Sequence, residues 1–368
     1  VFKKDLFRIR AVEDSAKVVF AKIAERLLSG DAPANPKAPI RSVLALRQDH
    51  LGDMILTVPA LRALKRRLEP GGRLTIVASG SNAEFARLFF PEDRILVYGK
   101  YPWSRFPLFA RLLWEKFDVA VDFHSAFSTT SALLILLSGA PLRVGYWTGG
   151  SKERLSRAVF NFGLDLPPHL MHESKISMRV VQRLRAGKDA SPRIYAVPAA
   201  PTNLTQKVEA FFRQCGIGPS DLVLGIHPTL QKGSNCWAPE NYLKLLRLLS
   251  NVKGLKTVVI HGRGEESALQ RFMELVAHEG IEVHALPGRN VAYLLEAAGH
   301  FNLMVAGDSG LAHLMSLRTF VVEIFGPSEP DLWSPLGKHC VLRAKDHRCD
   351  SVEPRQVAEQ VRKYIRRK

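Results

Sequence analysis

Ser42-Val43-Leu44-Ala45-Leu46-Arg47-Gln48-Asp49-His50-Leu51-Gly52-Asp53-Met54-Ile55-Leu56-Thr57-Val58-Pro59-Ala60-Leu61 is the stretch that decides the fold. Its opening is a short apolar run, expected as a strand over 42–48, and its close leads into a helix expected over 54–68. Between them lie polar residues, with Gly52 expected to permit a tight turn and Asp53 at the helix start. The same strand-to-helix step recurs. Strand-like runs stand at 73–79, 94–98, 119–124 and 142–147, with helical runs at 83–90, 106–117 and 129–138. Alternation of this kind implies a parallel sheet covered by helices. Pro192, Pro198 and Pro201, with Ala199 and Ala200, are expected as an interdomain linker. The alternation then resumes with strands at 221–227, 256–261, 281–285, 303–307 and 320–325. The matching helices are 204–214, 239–250, 265–278, 290–298 and 310–317, and a last helix runs from Pro354 to Arg367.

Two doubly wound α/β halves follow, as 368 residues would allow. The expected division is an N-terminal extension and linker (1–39), a first Rossmann-like domain (40–200), a second (201–345) and a tail helix (346–368). In such sheets ligands bind beyond the carboxyl ends of the strands. Two halves facing a central cleft would suit a transferase with one substrate on each.

Composition narrows the partners. Lys and Arg number 52 against 35 Asp and Glu, a net charge of +17. That excess points to nucleic acid or an anionic membrane surface, or else to a basic surface that only maintains solubility. The basic residues are dispersed and no helix-turn-helix, RRM or zinc-finger pattern appears, so nucleic acid is not expected. Residues 1–30 read as a basic amphipathic helix, which would lie on a membrane surface or pack on the domain. The apolar stretch Phe123 to Leu142 is interrupted by Ser125, Ser128, Ser131 and Pro141, and is expected as a buried helix rather than a membrane span. No secretory signal is expected. Cysteines 215, 236, 340 and 349 lack zinc-ligand spacing and suggest no disulfide framework, which fits a reducing cytoplasm.

Three turns carry the candidate chemistry. In Arg47 to Met54, Asp53 is either a helix cap or a general base within reach of an acceptor hydroxyl. In Ala306-Gly307-Asp308-Ser309-Gly310-Leu311-Ala312-His313, a strand again enters a helix. Its first N–H groups could hold a diphosphate, while Asp308 or Ser309 could simply cap, and His313 is either structural or part of the site. In His227-Pro228-Thr229-Leu230-Gln231-Lys232-Gly233-Ser234-Asn235-Cys236-Trp237, Thr229, Lys232 and Ser234 are candidate phosphate ligands, or the segment is a polar loop. No Asp-x-Asp pair, no Gly-x-Gly-x-x-Gly after a strand and no P-loop lysine motif occurs.

Leu51 to Leu61 resembles the N-terminal signature of the lipopolysaccharide heptosyltransferases, glycosyltransferase family 9. Gly307-Asp308-Ser309-Gly310-Leu311-Ala312-His313-Leu314 followed by Ile324-Phe325-Gly326-Pro327-Ser328-Glu329-Pro330 resembles the second signature. Val121-Asp122-Phe123-His124, Arg143-Val144-Gly145-Tyr146 and His172-Glu173 also match, and the resemblance runs from about residue 42 to the C-terminus. It implies the GT-B fold and inverting, metal-independent transfer of heptose from ADP-heptose as co-substrate to a lipopolysaccharide inner-core precursor. Carried over by position, Asp53 would deprotonate the acceptor. Asp308, Ser309, Gly310 and His313 would hold the donor diphosphate and sugar, Thr229 would touch phosphate, and Glu265 would contact the ribose. No metal or other cofactor is expected. The family's usual lysine, two residues before the tryptophan of the phosphate loop, is Asn235 here, and Lys232 lies three residues earlier. Arg62, Lys65 and Arg66, on the helix after Asp53, could face anionic groups of the acceptor or lipid. Attachment to the inner face of the cytoplasmic membrane is the expectation. Another nucleotide sugar or glycan, and a catalytically dead scaffold, are the alternatives.

Overall fold

The computed structural model describes residues 39–167, 169–184, 196–229, 236–288 and 290–366. The expected helix at 1–30, most of the linker after it, Pro192, and Lys232 with its neighbours 230–235 lie outside the described residues. The chain divides into two compact units, Val1–Arg193 and Ile194–Lys368.

The first unit alternates as β1 (Ser42–Arg47), α1 (Leu51–Arg66), β2 (Arg73–Ser79), α2 (Ala83–Phe89), β3 (Arg94–Tyr98), α3 (Phe106–Trp114), β4 (Val119–Asp122), α4 (Thr129–Leu137) and β5 (Leu142–Val144). The five strands pair in parallel in the order β3-β2-β1-β4-β5. β1 is central and buried from Val43 onward, as a strand covered on both faces must be. One side is filled by Leu44, Leu46 and Val77 against Leu108, Leu112, Leu134 and Ile135. Ser128 caps α4 by accepting the Ser131 N–H, and no helix among the described residues is long and apolar enough to cross a membrane.

Two features of the opening stretch differ from expectation. Helix α1 begins at Leu51, so His50 is the N-cap and Asp53 stands at the third helical position, closing a capping box. Gly52 is therefore a buried helical residue without positive φ. The turn is instead pinned by buried Asn82, whose Nδ2 donates to the carbonyls of Arg47 (3.0 Å) and His50 (3.3 Å). β4 ends at Asp122 rather than 124, because the Asp122 carboxylate accepts the His124 N–H at 3.2 Å and bends the chain.

Between residue 147 and the linker no strand or helix is expected from the sequence. The chain forms a two-stranded sheet, β6 (Tyr146–Trp147) with β7 (Leu164–Asp165), and two helices, α5 (Glu153–Val159) and α6 (Glu173–Arg183). α6 buries Ile176, Met178, Val180 and Val181, and the Tyr146 hydroxyl donates to the Ile176 carbonyl at 2.8 Å.

The second unit comprises α7 (Thr202–Gln214), β8 (Leu222–His227), α8 (Pro239–Leu249), β9 (Leu255–Val259), α9 (Glu266–His278), β10 (His284–Ala285), α10 (Val291–Ala298), β11 (Leu303–Gly307), α11 (Gly310–Ser316), β12 (Phe320–Phe325), α12 (Pro330–Trp333), β13 (His339–Arg343) and α13 (Pro354–Ile365). Its sheet is also parallel, in the order β10-β9-β8-β11-β12-β13. β13 was not foreseen. It is a half-buried edge strand of five residues, so no long apolar run marks it. The tail packs into the same core: Cys349, Val352, Val357, Ala358 and Val361 join Leu245, Leu246 and Ile324. The Trp237 indole N–H donates to the Val352 carbonyl at 2.9 Å, tying the residues just before α8 to the tail.

Candidate functional site

In the first unit, chemistry gathers at the carboxyl end of β1, β2 and β4. Arg47, the last residue of β1, is only 1% exposed. Its guanidinium donates to the Phe123 carbonyl (2.7 Å), Asp53 Oδ1 (3.2 Å) and Glu173 Oε1 (3.1 Å), and Asp49 Oδ1 lies 3.4 Å from Nε. One cation thus faces three carboxylates. Burial opposes the charge of Arg47, but Asp49, Glu173 and Asp53 outweigh it and raise its pKa. Burial pushes the Asp49 and Glu173 carboxyls up, against the pull of Arg47. Removing one member of so buried an ion cluster costs about 3–5 kcal/mol.

Asp53 is fixed on both oxygens, by Arg47 and by the His50 N–H at 3.3 Å. His124 completes the group. Its Nδ1 pairs with Asp122 Oδ1, and its Nε2 lies 3.5 Å from Asp49 Oδ2. Burial lowers the His124 pKa, yet Asp122 and Asp49 outweigh it and the net shift is upward. Such a cluster combines a positioned carboxylate with a carboxylate–imidazole pair suited to moving a proton. The sequence singled out Asp53 alone. Glu173, His124 and Asp122 come from elements 69 or more residues later, and only the short matches at 121–124 and 172–173 hinted at them.

Arg62, Lys65 and Arg66 do not line this cluster. Helix α1 carries them 9 to 13 residues from Asp53, roughly 14–20 Å along its axis and toward the opposite edge of the sheet. Arg62 lies over the Phe89 ring at 5.7 Å, Lys65 pairs with Asp93 (2.8 Å) and Glu92 (3.2 Å), and Arg66 is exposed.

In the second unit, Glu265 is the hub. Its Oε2 accepts from the Thr229 hydroxyl (2.7 Å) and the Gly262 N–H (2.7 Å), and meets His227 Nε2 at 2.8 Å. Burial works against the charged form, but these contacts hold the carboxyl down at about 2. The Thr229 hydroxyl is therefore committed to Glu265 rather than directed at a ligand phosphate. Ser309 caps α11 by accepting the Ala312 N–H at 3.2 Å, so its side chain takes the structural of its two expected roles. Asp308 stands at the carboxyl end of β11 and is half-buried, while His313 is buried one turn into α11.

Behind Asp308 lies a residue the sequence did not mark. Glu323, in the middle of β12, is fully buried with neither carboxyl oxygen hydrogen-bonded among the described residues. Burial, and then the charge of Asp308, push its carboxyl well above the ordinary range. An unmet buried group of this kind costs about 1–3 kcal/mol. Ligand atoms of Asp308, His313 and Glu323 all lie within 4.8 Å of one another, close enough to share a metal ion. Arg343 on β13 forks onto Glu329 at 2.9 and 2.8 Å and reaches the Gly326 carbonyl at 3.1 Å, bracing the loop after β12.

The family described as glycosyltransferase family 9 (heptosyltransferase) matches residues 105–360. Lipooligosaccharide heptosyltransferase 2 of Campylobacter jejuni serotype O:2 is 22% identical over 348 residues, covering 86% of this chain and 96% of that protein. Among solved structures, the glycosyl transferase family 9 protein from Veillonella parvula has a TM-score of 0.76 at 18% identity, over 90% of this chain and 98% of its own. The ADP-heptose lps heptosyltransferase II of E. coli gives 0.69 at 18% identity, over 89% and 99%. The E. coli heptosyltransferase WaaC with ADP gives 0.63 at 18% identity, over 88% and 99%. At these identities the structural likenesses carry the fold, which is GT-B.

Proposed function

The chain belongs to glycosyltransferase family 9, the heptosyltransferases of lipopolysaccharide biosynthesis, and from that premise we propose that it transfers heptose from ADP-heptose to an inner-core acceptor with inversion. The reading is carried by Asp53, whose carboxylate is held on both oxygens at the carboxyl edge of a Rossmann-like sheet, beside the Asp49–His124 pair.

In this mechanism the first unit takes the acceptor and the second the donor. The acceptor hydroxyl gives its proton to Asp53, and its oxygen attacks the anomeric carbon from the face opposite the diphosphate. The bond to the diphosphate breaks as the new glycosidic bond forms. Arg47 orients Asp53, and Glu173 and Asp49 hold the Arg47 guanidinium in place from its other sides. On the donor side, three donors converge on Glu265 Oε2, so ribose contact falls to Oε1. Asp308 and His313 take the diphosphate-sugar end. Lys232 is the cation assigned to the phosphates. No step is assigned to a metal. The acceptor is a Kdo–lipid A or heptosyl-type saccharide, and the enzyme works at the inner face of the cytoplasmic membrane.

Calorimetry with ADP, UDP, GDP and CMP, on the wild type and on Asp308→Ala, tests the donor. ADP preference lost in the variant is the expected result. Preference for another nucleotide overturns the ADP-heptose assignment and leaves the glycosyltransferase. Turnover that survives a chelator supports a metal-free step. Turnover lost with a chelator and restored by a divalent ion would move the phosphate chemistry to the Asp308–His313–Glu323 cluster.

A further inference from the structure

The described residues expose seven large apolar side chains, and five of them fall in one short segment: Tyr101, Trp103, Phe106, Leu113 and Trp114. Trp103, Phe106 and Trp114 are 70%, 73% and 87% exposed. They are not scattered. Tyr101 and Trp103 stack with ring centroids 4.9 Å apart. On α3, Phe106, Ala110, Leu113 and Trp114 follow at spacings of four and seven or eight residues, and so share one face. The opposite face buries Leu108 and Leu112 in the core of the first unit. The helix is thus apolar on both sides, and among the described residues only one side has a protein partner.

The charged groups around it are cationic with one exception. Lys100, Arg105, Arg111 and Lys116 fall in the same 17 residues, and the single acid, Glu115, is taken up by Arg94 and Arg111. Exposed aromatics flanked by Lys and Arg are the composition of an interfacial element, in which rings enter the headgroup layer and cations meet anionic lipid. A second copy is a poor fit, since apposed patches would bring four like charges against four. We propose that segment 99–116 is a docking surface that seats the first unit on an anionic bilayer.

The topology gives the docking a purpose. Segment 99–106 leaves the carboxyl end of β3, the sheet edge at which Asp49, Asp53 and His124 stand. β3 is two strands from β1, roughly 10 Å at ordinary strand spacing. Docking there brings the proton-accepting cluster beside the headgroup layer where a lipid-anchored saccharide presents its hydroxyls. This purpose rests on the acceptor proposed above; the lipid contact does not.

The test is flotation of the full chain with vesicles of phosphatidylethanolamine and phosphatidylglycerol, against phosphatidylcholine alone. Wild type floats with the anionic vesicles, and the triple variant Trp103→Ser, Phe106→Ser, Trp114→Ser loses partitioning by roughly tenfold per ring removed. Lys100→Gln with Lys116→Gln weakens binding by roughly fivefold per residue at low salt and less at high salt. The melting temperature of each variant confirms folding, as these side chains are exposed. Unchanged flotation of the triple variant overturns the proposal. So does a wild-type dimer in sedimentation that the triple variant abolishes, since the patch would then belong to a second copy. Transfer to a de-acylated, water-soluble acceptor separates the two readings. Wild type and triple variant should turn it over equally; a chain that floats but transfers no heptose retains the docking surface and loses the proposed activity.

Discussion

Arg47→Met keeps most of the side-chain volume and removes the charge. The guanidinium lies 3.4, 3.2 and 3.1 Å from Asp49, Asp53 and Glu173 and also donates to the Phe123 carbonyl. Its loss leaves three carboxylates facing one another around an apolar side chain, at a cost of about 3–5 kcal/mol. At about 2–4 °C per kcal/mol for a unit of this size, melting of the first unit falls by roughly 10 °C. The pH dependence identifies the cause. Burial already raises the carboxyls of Glu173 and Asp49, with Arg47 partly offsetting it, and without Arg47 they rise further. A carboxyl whose folded pKa is raised costs stability as pH climbs through that value, and the cost disappears below its unfolded value. The deficit is therefore largest near about pH 8 and shrinks toward about pH 5. Calorimetric scans of the full chain at both pH values measure it, with ADP affinity as a check that the second unit is intact. A deficit under about 1 kcal/mol, or one that grows on acidification, is incompatible with unmatched buried carboxylates around position 47.

Asp53→Asn lowers kcat by roughly 10²–10⁴-fold while ADP affinity is unchanged, measured by turnover and calorimetry; wild-type turnover would remove Asp53 as the base. Asp49→Asn removes the second carboxylate contact of His124 and moves the imidazole-dependent limb of the pH–rate profile to lower pH, because the upward shift of the imidazole is reduced; an unmoved limb would separate His124 from the profile. Glu265 has its pKa depressed to about 2 from an ordinary value of 4.5, so its stabilisation is complete above about pH 4.5 and is lost as pH falls toward 2. Glu265→Gln is less stable at neutral pH by roughly 2–3 kcal/mol in urea titration and lacks that acid step; equal stability at pH 7 would count against the hub. Glu323→Leu stabilises the second unit by about 1–3 kcal/mol by removing an unmet buried carboxyl. The gain increases with pH, because the wild type loses stability as pH rises through the raised Glu323 value. A destabilised Leu variant would mean that the carboxyl has a partner in solution.

The alternation of strands and helices was legible because parallel strands covered on both faces are short apolar runs, and β1, β2, β11 and β12 read that way. β13 escaped because an edge strand needs no such run, and α6 because its apolar residues are interspersed with Lys175, Arg179 and Gln182. Asp53 and Asp308 stood out as acids at strand ends. Their surroundings did not. Nothing local shows that Glu173, 126 residues away, shares Arg47 with Asp53, or that Thr229 spends its hydroxyl on Glu265. Helical rise separates Arg62, Lys65 and Arg66 from Asp53, although sequence proximity suggested one site. Whether an exposed or a buried face of α3 carries Phe106 and Trp114 depends on what the fold packs beneath it, which periodicity alone leaves open when both faces are apolar.

The placement of Arg47 also constrains how the chain is made. It sits on the central strand, and its last carboxylate partner is not synthesised until residue 173. A nascent chain emerging from the ribosome carries the strand, the helix after it and two of the acids long before the third, and a strand with a mismatched ionic cluster is a poor nucleus for early docking. The first unit should therefore resist premature collapse onto β1 and close late, when α6 arrives. A translational pause placed before residue 173 would then hold a chain still open to a chaperone, and one placed after it a chain already closed.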